Sequence, residues 1–177
     1  MKLHLLQSND KKSKFDDFKQ AYACYCKELS AYNLNLKGKD FDQVANDEIS
    51  HAMDDDTTDC ILMYAEDIFL GFAIVGQSPN SYCTDDIYIQ EFYVAPKYRG
   101  VGVGETAVRR IISMYYDKDV SFFVLDDNFI ARTFWSVVMG ELGYKNLART
   151  GQVKPPSAQR LSNPALEDLV FYYWHKE

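Results

Sequence analysis

The chain has 177 residues, 47% of them apolar, with 26 acidic against 19 basic side chains and a net charge of −7. A chain of this size suits one ordinary domain over residues 1–177, able to bury about 70% of its unfolded surface. The acidic balance argues against a nucleic-acid partner, since neutralising phosphates needs a basic face, and no apolar run approaches the roughly 20 residues of a membrane span.

Met1 leads into Lys2-Leu3-His4 without the apolar core of a signal peptide, so a cytoplasmic protein is expected. Cys24, Cys26, Cys60 and Cys83 lack metal-ligand spacing, and His4, His51 and His175 are scattered, so no metal site is expected. No Gly-x-Ser-x-Gly elbow or cysteine–histidine signature points to a covalent intermediate.

Lys2 to Gln7 alternates as a first strand, which Ser8-Asn9-Asp10 breaks. From about Asp16, Phe15, Phe18, Tyr22, Tyr25, Cys26 and Leu29 form one stripe at helical spacing, chiefly a core-packing face. After Gly38-Lys39, Asp40 is an N-cap for a second helix from Phe41 to Ala52, closed by Asp54-Asp55-Asp56, an acidic run that reads as a solvated loop. Cys60 to Ala65 and Ile68 to Gln77 form two antiparallel strands around a Glu66-Asp67 turn, with a bulge at Gly71, and Ser78 to Ser81 make a loop.

The stretch from Ile87 organises the rest. Alternation puts Ile87, Ile89, Glu91 and Tyr93 on one face of a strand and Tyr88, Gln90, Phe92 and Val94 on the other, both apolar enough to be buried. Pro96 ends pairing, and Gly100, Gly102 and Gly104 precede a helical pattern of Val108, Ile111, Ile112 and Tyr115. A strand, a glycine loop and a helix N-terminus expose unpaired amides and partial positive charge, which suits a phosphate or pyrophosphate. Arg99 at the lip adds a fixed charge; the bland alternative is a tight turn whose glycines merely permit positive φ.

Three phosphate-loop patterns compete. Gly104-Glu105-Thr106 lacks the lysine of the nucleoside-triphosphatase loop. Gly102 to Ala107 fits the dinucleotide fingerprint, with Asp126 at the ribose-binding distance, but Ala95 to Arg99 intervenes between strand and glycines. The third, Arg/Gln-x-x-Gly-x-Gly/Ala, is met by Arg99 to Gly104 behind a Val-Ala-Pro strand end.

Beyond that helix, Asp117-Lys118-Asp119 turns into Val120 to Asp126, a nearly all-apolar strand that suits a parallel neighbour reached by a right-handed crossover. Asn128 or Asp127 caps a fourth helix, with Ile130, Phe134, Val137 and Val138 on one face and Ala131, Trp135 and Leu142 on another. Tyr144 to Arg149 is a short strand, Gly151 to Pro164 a loop, and Leu166 to His175 a last strand.

These motifs resemble the GCN5-related N-acetyltransferase (GNAT) superfamily: Phe92 to Pro96, Tyr98-Arg99-Gly100 and the glycine run, Asn128 to Trp135 against its Asn-x-x-Ala-x-x-Phe-Tyr segment, and Leu142-Gly143-Tyr144. The likeness covers about the second half of the chain and is nearest to that superfamily's poorly characterised predicted-acetyltransferase branch. It implies an α/β fold with a mixed, mostly antiparallel twisted sheet of about six to seven strands, a central splayed parallel pair and about four flanking helices.

It also implies an N-acetyltransferase that moves the acetyl group of acetyl-CoA to a primary amine, small-molecule or peptide, by direct attack in a ternary complex. Backbone groups of Phe92, Tyr93 and Val94 would meet the pantetheine, with a bulge at Ala95-Pro96 and the Val94 N–H as oxyanion donor. Amides of Arg99, Gly100, Val101, Gly102, Val103 and Gly104 would hold the pyrophosphate, and Asn128, Ala131, Phe134 and Trp135 would flank the cofactor. Glu91 is the candidate base, with a purely structural acid as the alternative; by parity, relatives often carry the acid at the position of Gln90, on the opposite face. Trp135 stands where the family often has an acidic tyrosine, leaving Tyr93, Tyr88 or solvent for that role. Tyr22, Tyr25 and Tyr32 lie in the region the family uses to select acceptors. The rivals are a non-catalytic acyl-CoA-binding module and, behind it, a dinucleotide-binding protein. A homodimer through the last strand, with its Phe171, Tyr172, Tyr173 and Trp174, is also open.

Overall fold

A computed structural model describes residues 1–7, 10–32, 36–77, 87–115, 118–125, 127–150 and 169–176, with Gln77, 145–150 and 169–176 described by backbone alone. In chain order the elements are β1 (Lys2–Leu5), α1 (Lys12–Leu29), α2 (Phe41–Asp54), β2 (Asp59–Ala65), β3 (Ile68–Gln77), β4 (Ile87–Val94), α3 (Val103–Met114), β5 (Val120–Leu125), α4 (Phe129–Glu141), β6 (Tyr144–Thr150) and β7 (Leu169–Lys176). The expected loops at 78–81 and 151–164, and Asp126 with its proposed ribose contact, fall outside the described residues.

The strands form one sheet in the order β1-β2-β3-β4-β5-β7-β6. All neighbours are antiparallel except β4 and β5. A strand–helix–strand crossover through α3 makes that one parallel pair possible, since parallel strands cannot be joined by a tight turn. The sheet is covered on both faces, which is why its central strands read as nearly continuous apolar runs. One face packs Val108, Ile111 and Ile112 of α3 and Trp135, Val138 and Met139 of α4 against Ile61, Val75, Ile89 and Phe122. The other packs Phe18, Tyr22 and Cys26 of α1 and Ala45 and Ile49 of α2 against Leu62, Phe72, Ile74 and Tyr93.

Several expectations are refined by this packing. Helix α1 begins four residues before Asp16, because Asp10 accepts from the Gln7 N–H and from Lys14 and so ties the first turn to the end of β1. Asp40 caps α2 through the N–H groups of Asp42 and Gln43. The bulge foreseen at Gly71 falls on its neighbour Leu70, because Met63 faces Gly71 and Tyr64 faces Phe69. Gly71 itself is required for another reason: an added Cβ would lie 2.1 Å from the Tyr93 carbonyl oxygen. On α4 the two expected faces reduce to one. Trp135, Val138 and Met139 are buried, whereas Ile130 is 79% exposed and Val137 is also exposed. β7 lies between β5 and β6, and both its edges are used within the chain, so it cannot pair by backbone across a dimer as envisaged.

The bulge that matters most sits elsewhere than the sequence suggested. Ile74 pairs with Glu91 and Val75 with Ile89, so Gln90 is the extra residue of β4. An inserted residue reverses the alternation beyond it. Ile87, Ile89 and Phe92 therefore face α3 and α4, while Glu91 and Tyr93 face α1. The expected grouping of Ile87, Ile89, Glu91 and Tyr93 on one face is thus broken at Gln90, and no irregularity of register occurs at Ala95-Pro96, where the chain enters a single 3-10 turn over Pro96–Tyr98.

Candidate active site

β4 and β5 pair only at Ile87–Val120, Tyr88–Ser121 and Ile89–Phe122. Beyond that point β4 continues to Val94 along β3, and β5 continues to Leu125 along β7, so a wedge opens between two strands whose outer edges are both held. The phase of the β3–β4 ladder decides which groups face the wedge. The Ala95 N–H donates to the Leu70 carbonyl at 2.8 Å. Antiparallel pairs alternate between hydrogen-bonded and non-bonded, so Tyr93 lies in the ladder with Phe72, while Phe92 and Val94 turn N–H and C=O away from β3 into the wedge. Of the three backbone positions expected there, two face the opening and Tyr93 does not.

At the mouth of the wedge, Gly100 and Gly102 adopt φ of 74° and 82°. Positive φ is why side-chain-bearing residues are disfavoured at both positions. Open space surrounds each, with no atom within 4 Å of an added Cβ. Gly102 is the N-cap of α3 and supplies no side-chain cap. The first helical hydrogen bond is that of Thr106 to the Gly102 carbonyl, so the N–H groups of Val103, Gly104 and Glu105 lie ahead of it. Those amides, at the positive end of a 12-residue helix, offer the donors and partial charge that suit an anion, a cradle in geometry. Gly104 has a second reason to be small, since the Phe134 ring sits 3.0 Å from where its Cβ would be.

Arg99 is not aimed at that cradle. Its Nε donates to the Val94 carbonyl at 2.7 Å, its Nη2 pairs with Glu28 of α1 at 2.8 Å, and its guanidinium lies over the Tyr93 ring. The fixed charge expected at the loop's lip is engaged with the end of α1, so the cradle relies on main-chain dipoles.

On the α3–α4 face, Phe134 stacks on Phe92 at 5.8 Å, and Trp135 stacks on Phe122 at 4.4 Å. Trp135, only 6% exposed, belongs to the core. Asn128, rather than Asp127, caps α4 by accepting the Ala131 N–H at 3.1 Å.

On the α1 face, Glu91 receives hydrogen bonds on both carboxylate oxygens. Tyr25 donates to Oε2 in a short contact and Tyr22 to Oε1 at 3.4 Å. Desolvation by the surrounding protein pushes the Glu91 carboxyl up to about 7, helped by Glu48 of α2 and opposed by the two phenols. The residue keeps some exposed surface, so its carboxyl is enclosed without the side chain being wholly removed from solvent. A carboxyl poised near neutrality can both accept and return a proton at working pH. The alternative acids are ill suited: burial and Glu28 push Tyr93 up to about 12, and burial and Glu91 raise Tyr88 well above the ordinary phenol range.

The model of the acetyltransferase (GNAT) family matches residues 21–140. The chain belongs to the GNAT acetyltransferase family. A sequence search of curated proteins gives no match, but solved GNAT folds superpose over nearly the whole chain. An acetyltransferase from Thermus thermophilus aligns with a TM-score of 0.64 at 14% identity, covering 98% of this chain and 96% of its own. An aminoglycoside 6'-acetyltransferase type Ii gives 0.64 at 11% identity, with 98% and 96% covered. The spermidine N-acetyltransferase of Vibrio cholerae, solved with CoA and spermine, gives 0.61 at 12%, with 97% and 93% covered. At such identities the likeness is one of fold.

Within this GNAT chain, sequence reasoning located the splayed strands, the glycine loop and Glu91. It missed the Gln90 bulge, which left no compositional trace, and the Glu28–Arg99 pair, which joins distant segments. Tyr22 and Tyr25 were placed near an acceptor region but not on Glu91, because helical spacing alone shows only that they share a face with Phe18. Tyr32 is exposed. No helix among the described residues is long and apolar enough to cross a membrane, and no cluster of potential metal ligands occurs among them.

Proposed function

We propose that the chain transfers an acetyl group from acetyl-CoA to a primary amine of a small molecule or peptide, by direct attack within a ternary complex. The observation that carries this reading is the wedge beyond Ile89–Phe122, with the main-chain N–H and C=O of Phe92 and the N–H of Val94 along it and the open glycine cradle at its mouth. A pantetheine arm added as an extra strand would satisfy the main-chain groups of Phe92 and the Val94 N–H, the Val94 carbonyl being held by Arg99, and amides from Gly100 to Glu105 would hold the pyrophosphate. The GNAT fold and a structural neighbour solved with CoA support the same donor.

The Val94 N–H stabilises the charge that develops on the thioester oxygen. The amine nitrogen forms the new C–N bond, the C–S bond breaks, and the electron pair leaves on sulfur. Glu91 takes the proton that nitrogen sheds, since an amide nitrogen cannot keep it. A thiol pKa near 8.5 makes the thiolate a fair leaving group, so its protonation is left to solvent, consistent with a buried Trp135 and two phenols of raised pKa. Aminoglycoside and spermidine acetyltransferases among the structural neighbours support polyamine and aminosugar acceptors as the first to try.

The test is release of free CoA from acetyl-CoA with a panel of amines, by the native chain and by Glu91→Gln. Turnover that rises with pH through about 7 in the native chain, and loses that limb in the variant, supports the reading. Tight acetyl-CoA binding with no amine turned over would instead mark a non-catalytic acyl-CoA module.

A further inference from the structure

Apart from two phenols, the surroundings of Glu91 disfavour its ionised form. Ile74 pairs with it from β3. Burial and the negative field of Glu48 on α2 drive its carboxyl toward protonation. Cys26 of α1 and Tyr88 of β4 feel its charge but bring no cation. Among the described residues no positive side chain pairs with it, and Arg99 is committed to Glu28. What remains is a pair of phenols. They stand at i and i+3 on α1, hence on one face, one turn apart.

We infer that Tyr25, seconded by Tyr22, is a positioning residue for the base: the two hydroxyls meet the two oxygens of one carboxylate, holding Glu91 ionised and in a single rotamer. The inference rests on the reading of Glu91 as base. The rings are set by packing that does not involve Glu91. Tyr22 stacks on Phe72 at 5.4 Å, and Tyr25 meets Tyr22, Phe72 and Tyr93 at 5.8, 5.8 and 5.7 Å. The hydroxyls are therefore preorganised before a substrate arrives. Both phenols are held far above their ordinary range by burial and by Glu91, so they stay protonated donors throughout the working range. Tyr25 makes the shorter contact and carries more of the effect than Tyr22 at 3.4 Å. Phenylalanine would fill either place in the core equally well, so packing alone does not account for two hydroxyls converging on one acid.

The test is kcat/KM for one productive amine from about pH 6 to about pH 9 in the native chain, Tyr25→Phe, Tyr22→Phe and Glu91→Gln. A hydrogen bond to a charged group is worth about 1.5–3 kcal/mol, or roughly one to two pH units. The Tyr25→Phe limb should move up by that amount, with activity at least about tenfold lower near pH 6 and recovering by about pH 9. Tyr22→Phe should move the limb the same way by less. A fall in rate that is uniform across pH, with the midpoint unmoved in both phenol variants, overturns the inference. If Tyr25→Phe does not fold, the Tyr22→Phe midpoint decides alone. Should Glu91→Gln keep the limb, the base assignment fails and this inference fails with it; should Glu91→Gln lose the limb while neither phenol variant shifts it, only this inference fails.

Discussion

Glu91 shows how a single side chain is set against the fold that holds it. Its folded pKa, about 7, exceeds the ordinary 4.5, so the native state keeps a proton that the unfolded chain releases between those values. Stability contributed by the protonated carboxyl is present at low pH and is lost as pH rises through that window. The shift of 7 − 4.5 = 2.5 corresponds to a cost on the order of 3 kcal/mol above neutrality. Glu91→Gln should accordingly raise stability by about 1–3 kcal/mol at pH 8 and by almost nothing at pH 5, measured by denaturant unfolding at each pH, while the residual turnover loses its pH limb near 7. Equal effects at both pH values would show that the carboxyl is not desolvated. The residue was legible in the sequence as an acid on a buried strand; its side of the sheet was not. Strict alternation assigns it to the face of Ile89, and only the extra residue Gln90 carries it over to Tyr22 and Tyr25.

Among the elements, the β4–loop–α3 unit was the most readable, because glycine spacing, a strand-ending proline and a helical apolar period all act over short range. Gly102→Val puts a β-branched residue at φ 82°, costing about 1–2 kcal/mol in stability, and crowds the cradle. It should weaken acetyl-CoA binding more than about tenfold by calorimetry, whereas unchanged affinity would remove the loop from the site. Gly71→Ala tests a different contact. Its Cβ would collide with the Tyr93 carbonyl from the neighbouring strand, so a loss above about 2 kcal/mol is expected by thermal or chemical unfolding, and a near-neutral result would mean that β3 and β4 can part there without cost. The destination of Arg99 could not be read, because its partner Glu28 belongs to the other side of the sheet and no local pattern links them. The two expected faces of α4 merged for a related reason: an amphipathic period shows which residues lie together, not how wide a strip the sheet will cover.

At the scale of the molecule, the sheet divides the labour. Helices α3 and α4 bring the anion cradle and Phe134 to one face, α1 and α2 bring the phenols and Glu48 to the other, and the wedge between β4 and β5 opens between them. Among the described residues, the seven-stranded mixed sheet and its four helices match the expected architecture, since strand lengths and the crossover through α3 leave few alternatives. The insertion of β7 between β5 and β6 was not legible, because an apolar strand fits an edge or an interior position equally well until its partners are known. By holding the outer edge of β5, β7 lets that strand diverge from β4 while remaining in the sheet. Acetyl-CoA at about 100 times its Kd should therefore stabilise the whole domain by about 2.7 kcal/mol, measured as a shift in unfolding midpoint.

Acetyl-CoA received by the wedge and cradle must engage main-chain amides, and amide hydrogen exchange with and without acetyl-CoA reads those groups one by one. Slowed exchange at Phe92, Val94 and the residues from Gly100 to Glu105, with Tyr93 unchanged because it is already paired to Phe72, is the predicted result. Binding that leaves those amides as they were, or protects another part of the molecule in their place, would contradict it.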